Sequence, residues 1–445
     1  MLHNDFTTGS VRRQILMQAL PLTFAQVVQL LYNIVDRMYI GHMPGDGGMA
    51  LTGLGITFPV IVLIAAFTSL FATGGTPLFA MALGRRDEKE AGCVLGNSFV
   101  MLTLSAVILF LVGKGLARLI LFLFGASEAS FVYAQKYLSI YLYGTLFSML
   151  STGLNGFINA QGFPGIGMLT VMIGALLNAA LDPLFIFALH MGVEGAALAT
   201  VISQSVSCIW VMHFLLRGKA QVPLTRAGMR LQGKRVGQMV LLGIPGFVMQ
   251  GTNSLTQIVA NNQLQLFGGD MYVSIMTIVS STNEILTLPI SGLCNGAQPV
   301  MSFHYGAGER DTVKEGIRFT TLVSLGYGVM AWLFAMLFPT FFIRLFSSDA
   351  RMALEGAVML RLCFCGYAFM TCQHVGQASF RALGKAREAI FFSLFRKVVI
   401  VVPLTLLLPP LGLGVRGVFI AEPMSQLIGG LACIVTMYRT VYRKL

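Results

Sequence analysis

Apolar residues run along the chain in continuous stretches of 18 or more, separated by short polar connections. Strands with one wet face would alternate instead, so the pattern predicts helices. Each stretch is long enough to cross the roughly 30 Å hydrocarbon core of a bilayer. Within lipid only helices and closed barrels satisfy every backbone group. The stretches predict twelve helices, at 14–41, 51–83, 93–123, 132–161, 166–189, 194–216, 236–267, 272–304, 314–345, 352–382, 388–411 and 415–438. The first follows Arg12 and Arg13, is too long for a leader and lacks a small-residue cleavage site. It is therefore expected to stay as a membrane helix.

Composition sharpens this picture. Of 445 residues, 56% are hydrophobic and 11% charged; a soluble protein carries about 25% charged. A soluble globule is excluded. The net charge of +12 would suggest nucleic acid, but the bases collect in alternate connections. One set holds Arg12/Arg13, Arg85/Arg86/Lys89, Arg217/Lys219/Arg226/Arg230/Lys234/Arg235, Arg310/Lys314/Arg318, Arg381/Lys385/Arg387 and Arg439/Arg443/Lys444. The other holds only Lys114, Arg118, Arg344, Arg351 and Arg416. That asymmetry predicts a multi-pass membrane protein with both termini cytoplasmic and no nucleic-acid partner. The seven cysteines contain no CxxC and no metal spacing, so they are expected to be packing thiols.

The two halves resemble each other. "ALPLTFAQ" (19–26) matches "GIPGFVMQ" (243–250), shifted by 224, and "GGTPLFAMALG" (74–84) matches "NGAQPVMSFHYG" (295–306), shifted by 222. "HMGVEGAALATVISQ" (190–204) matches "LGLGVRGVFIAEPMSQ" (411–426). Six helices per half is an even number, so the second half must enter the membrane in the same orientation as the first. The expected architecture is all-α, with two six-helix lobes related by a pseudo-two-fold axis along the membrane normal, a plan of secondary transporters. The lobes are expected at 1–217 and 236–445, joined by a cytoplasmic linker at 218–235.

A charge at mid-bilayer costs on the order of 2.5–3.5 kcal/mol or more, so each intramembrane acid calls for a reason. There are four: Asp36, Asp182, Glu284 and Glu422. Asp36 near the outer end of helix one, Asp182 in the outer part of helix five and Thr200 early in helix six fall at one depth. Asn178 and Asp182 are four apart and share a helix face. Pro183 lacks an N–H, which frees the carbonyl of Ala179. These oxygens suit Na⁺ or proton uptake. Arg37, adjacent to Asp36, is expected to snorkel to the interface.

The second half places Val402 before Pro403 where the first has Asp182, so the ion site is expected in the first half alone. Glu284 could meet a cationic substrate or hydrogen-bond within "SSTNE" (280–284). Glu422, aligned with Thr200, is a second possible cleft residue. His304 and His374 are expected to pack. Gly162-x-x-Gly165-x-Gly167 reads as a turn, because no strand precedes it.

The whole chain is similar to the multidrug and toxic compound extrusion (MATE) transporters, in their DinF-like or MepA-like branch. The likeness is carried by "LPLTFAQVVQLLYNIVDRMYIG" on helix one, "LNGFINAQG" (154–162), "LLNAALDPLFIF" on helix five, "GVEGAALATVISQ", "GAQPVMSFHYGAGERDTVKEG" and "SFRALGKAREAIFFSLFRKVV". The resemblance implies export of amphipathic or cationic compounds by a monomer, through alternating access and antiport against H⁺ or Na⁺. It implies no cofactor beyond the coupling ion and no enzymatic activity. It matches Asp36, Asn178, Asp182 and Thr200 to the family's ion ligands, with Na⁺ as a possible occupant. Asn155 matches a lobe-lining asparagine, and Pro21 a proline at which helix one bends. The alternative is a lipid-linked oligosaccharide or lipid flippase of related fold, which should carry a row of cleft arginines; Arg361 alone does not make one. A membrane transferase would need clustered acids or a His-Asp motif, whereas the acids of "RRDEKE" are mixed with bases.

Overall fold

Long apolar runs become long helices. The computed structural model describes residues 3–41, 47–124, 126–217, 220–346 and 349–445; Lys219 and the side chain of Arg37 lie outside the described residues. Among the described residues there is no strand. The first six helices are α1 (Val11–Gly41), α2 (Gly47–Gly84), α3 (Glu88–Leu123), α4 (Glu128–Ala160), α5 (Pro164–Ala188) and α6 (Gly192–Arg217). The second six are α7 (Gly233–Gly268), α8 (Asp270–Gly306), α9 (Arg310–Leu337), α10 (Ala350–Phe364 with Tyr367–Ala382), α11 (Ala386–Leu407) and α12 (Pro409–Tyr442). Among the described residues, nine are individually long and apolar enough to span a membrane, and the two arms of α10, bent by 45°, make a tenth. The more polar α4 and α7 complete the two sets of six.

Two departures from the expected spans have local causes. The ninth span stops at Leu337, and a separate short helix, Pro339–Phe346, follows. Proline at its first position starts a helix well but cannot continue one. At Pro183 the helix does not end. The Leu184 N–H turns to the carbonyl of Leu181, and a widened π-turn, Leu184–Ala188, carries the chain on. Such turns absorb the mismatch left by a missing N–H.

The chain packs as two units. The first holds Met1–Thr8 and Leu20–Phe247, the second Gly9–Ala19 and Val248–Leu445. The start of α1 thus belongs with the second unit. There Arg12 pairs with Glu315 at 2.8 Å, and Gln14 Oε1 lies 2.8 Å from Nε2 of buried His304. The other His304 nitrogen lies 2.7 Å from Glu309. Gly296 lets α8 approach this segment closely, since a Cβ there would stand 2.6 Å from the backbone of Ala19. In the first unit α2 crosses the start of α7 at two glycines. A Cβ on Gly243 would strike the carbonyl of Leu70, and one on Gly74 that of Met239. Small residues permit such backbone contact, which drives helix association in lipid where apolar burial does not.

The polar segment before α7 is tied to the first unit. Buried Asn97 on α3 directs Nδ2 at the carbonyls of Cys93 (2.9 Å), Gly228 and Arg230 (both 3.0 Å). Its Oδ1 accepts from the Gln232 N–H at 3.0 Å. Arg235 adds a two-pronged pair to Glu90, at 2.9 and 2.6 Å. Asn97→Ala removes the clamp and leaves buried backbone groups unpaired. It should cost about 1–3 kcal/mol and open the segment around Gly228 to limited proteolysis, read on gels beside a thermal melt.

Candidate functional site

Helices α5 and α6 bring three of the expected ligands together. Asn178, Asp182 and Thr200 are 1%, 0% and 4% exposed. With both ends of its amide satisfied, Asn178 donates through Nδ2 to Asp182 Oδ2 at 2.7 Å, and its Oδ1 accepts from the Thr200 N–H at 3.1 Å. The Thr200 hydroxyl donates to the Ala196 carbonyl at 3.0 Å. Half-buried Asp36, from α1, stands within hydrogen-bonding reach of the Asp182 carboxyl. Asp182 Oδ1 is buried and receives no hydrogen bond from the described residues.

Two carboxylates in such proximity repel unless a proton or cation lies between them. The set can therefore hold a monovalent cation in either of two ways. Asn178 as oriented offers an N–H to Asp182, which suits a shared proton. Turned over, its carbonyl oxygen would face the carboxylate and join a hard-oxygen shell suited to Na⁺.

Three tyrosines complete the surroundings, and none was singled out from the sequence. Tyr32 on α1 and Tyr137 on α4 reach Thr200, and Tyr141 on α4 lies beside them. Tyr32 was findable, because it precedes Asp36 by four and shares its face. Tyr137 and Tyr141 were not, since nothing in their spacing sets α4 against α1.

Beside this cluster lies a cavity of about 440 Å³, lined by Tyr32, Asn155, Asn178, Thr200 and Gln204 among others. Asn155 donates to the Gly167 carbonyl at 3.1 Å and so ties α4 to the start of α5. It lines the cavity without touching the carboxylates. Pro21 lies within α1, two residues past the point where the chain leaves the second unit.

The second unit has its own cavity, of about 660 Å³, and both expected acids line it. Glu284 on α8 is exposed there. Glu422 on α12 is not available as a simple cation ligand. Arg396 Nη1 and Lys397 Nζ, from α11, donate to its Oε1 at 3.1 and 3.2 Å. Both bases were missed, although they stand within an apolar span. His374 lines the same cavity, with Nδ1 3.1 Å from the Met370 carbonyl. Arg361 lies elsewhere, exposed, and donates to the Met336 carbonyl at 3.1 Å. Among the described residues no cluster of three or more His, Cys, Asp or Glu side chains could hold a metal.

A model of the MatE family matches residues 21–184 and 245–407, once in each half. The chain belongs to the MatE family. It is therefore a transporter and not an enzyme. It is 23% identical to the multidrug export protein MepA of Staphylococcus haemolyticus over 89% of this chain and 87% of that one. It is 24% identical to the probable multidrug resistance protein YpnP of Bacillus subtilis, over 96% and 95%. Among solved structures, a multidrug resistance MATE transporter in its outward-facing conformation matches at TM-score 0.92 and 21% identity, over 100% and 98%. A transporter from Pyrococcus furiosus, described as having a binding pocket of reverse polarity, matches at 0.92 and 21%, over 100% and 99%. The fold is that of these transporters: two six-helix sets in a multi-pass membrane protein.

Proposed function

We propose that this MATE transporter expels amphipathic, mostly cationic compounds from the cell, driven by inward movement of H⁺ or Na⁺ taken up at Asp36 and Asp182. The carrying observation is the pair of approaching carboxyl groups in a membrane helix bundle, beside a cavity. Asn178 and Thr200 position the pair, and the neighbouring tyrosines supply hydroxyls to the shell. The coupling ion acts by binding one conformation better than the other, which favours substrate release and return of the carrier. The transporter works as a single chain in a bacterial inner membrane, with both termini in the cytoplasm. A flippase reading would want a row of cleft arginines, and among the residues lining the two cavities Arg396 is the one arginine.

The test is transport of a fluorescent organic cation in proteoliposomes, with one gradient imposed at a time. Export should follow either an H⁺ or a Na⁺ gradient and collapse when it is dissipated. Export that ignores both gradients would refute antiport.

A further inference from the structure

The polar wall of the second cavity is not arranged for cations alone. Its two bases, Arg396 and Lys397, converge on the single carboxylate of Glu422, with Lys397 Nζ also 3.5 Å from Oε2. One base would neutralise Glu422; two leave the cluster with a surplus positive charge. Such a charge in a low-dielectric wall attracts an anion strongly. The Arg396 guanidinium carries five N–H donors. Among the described residues only its Nη1 is hydrogen-bonded, to Glu422. The rest of its planar fork matches a carboxylate. Both bases sit on the π-turn Phe395–Val401 of α11, a backbone feature frequent at functional sites. Exposed Glu284 lines the same cavity from α8, and the volume of about 660 Å³ falls in the usual range of small-molecule sites.

We propose that Arg396 and Lys397 form an anion subsite, which takes the carboxylate or other compact acidic group of a zwitterionic amphipathic substrate while Glu284 meets its cationic end. The proposal rests on the export reading above and narrows its substrate class. It separates the halves by chemistry: paired carboxyls in the first, a net positive cluster in the second.

The test uses two dyes that differ only in the acid, rhodamine 19 and its ethyl ester rhodamine 6G. Binding to the purified full-length transporter in nanodiscs is followed by fluorescence polarisation, and export of each dye is measured in cells. Wild type should bind the acid about tenfold more tightly than the ester, the size of one charge-assisted contact. Arg396→Gln should remove that preference and leave ester binding within about twofold. Lys397→Gln, which keeps the Arg396–Glu422 pair, carries the same test if Arg396→Gln does not fold. Equal binding of both dyes by wild type, or equal weakening of both by the variant, overturns the subsite. Export of the ester without any preference for the acid overturns the subsite and leaves export standing. A preference for the acid without export of either dye supports the subsite and overturns export.

Discussion

Asp182→Asn should reduce gradient-driven efflux by about two orders of magnitude while leaving the protein folded. The reason is a difference between states. An ion shifts a conformational equilibrium only by its differential affinity, and a swing from 1:99 to 99:1 needs about 5.5 kcal/mol. An amide at position 182 removes one of the two charges that create the affinity. It keeps the shape and can still bond Asn178, which now donates to Asp182 at 2.7 Å. Neutralising one of two neighbouring carboxyl groups relieves their mutual repulsion, so the melting temperature should hold or rise. The measurements are drug resistance in cells, dye efflux in vesicles and a thermal melt at matched expression. Normal efflux by a well-expressed variant would sink the proposed role of Asp182.

Glu422→Gln should act in the opposite way, on stability first. It leaves Arg396 and Lys397, whose side chains are 11% and 15% exposed, facing each other without a counter-ion. Removing one partner of a fully buried pair costs about 3–5 kcal/mol. The Glu422 side chain is 24% exposed, so water screens the site, and about 2–4 kcal/mol is expected. An acidic ligand that fills the gap should restore stability by mass action, by about 2.7 kcal/mol at a hundred times its dissociation constant. The readout is the melting temperature of the variant with rhodamine 19 and with its ester. A variant as stable as wild type would mean that Glu422 is not needed to hold the two bases.

The parts of the site legible in the sequence are those that follow from spacing along one helix. Asn178 and Asp182 share a face because they are four apart. Asp36 and Thr200 join them because run lengths set depth in a bilayer. Contacts between helices left no such trace. Tyr137 and Tyr141 lie on α4, and the approach of Tyr137 to Asp36 depends on packing that no local pattern encodes. Arg396 and Lys397 were visible as bases inside an apolar span, but their partner Glu422 lies a whole helix later. The segment at 218–235 looked like a solvated joint by composition. What anchors it is Asn97, a lone amide inside the apolar run "VLGNSFVML" of α3. A polar residue buried in such a run was the available clue.

The packing of α1 bears on how the protein is made. Its first turns, Gly9–Ala19, pack with residues from Val248 onward. Arg12 and Gln14 meet Glu315 and His304 there. The ribosome completes those turns about 280 residues before Gly296, which packs against Ala19, is made, roughly 15–55 s at ordinary elongation rates. Helix α1 therefore waits in the bilayer, with a docking face uncovered, until α8 and α9 are made. Assembly of the second unit is complete only when it closes on a segment made long before it.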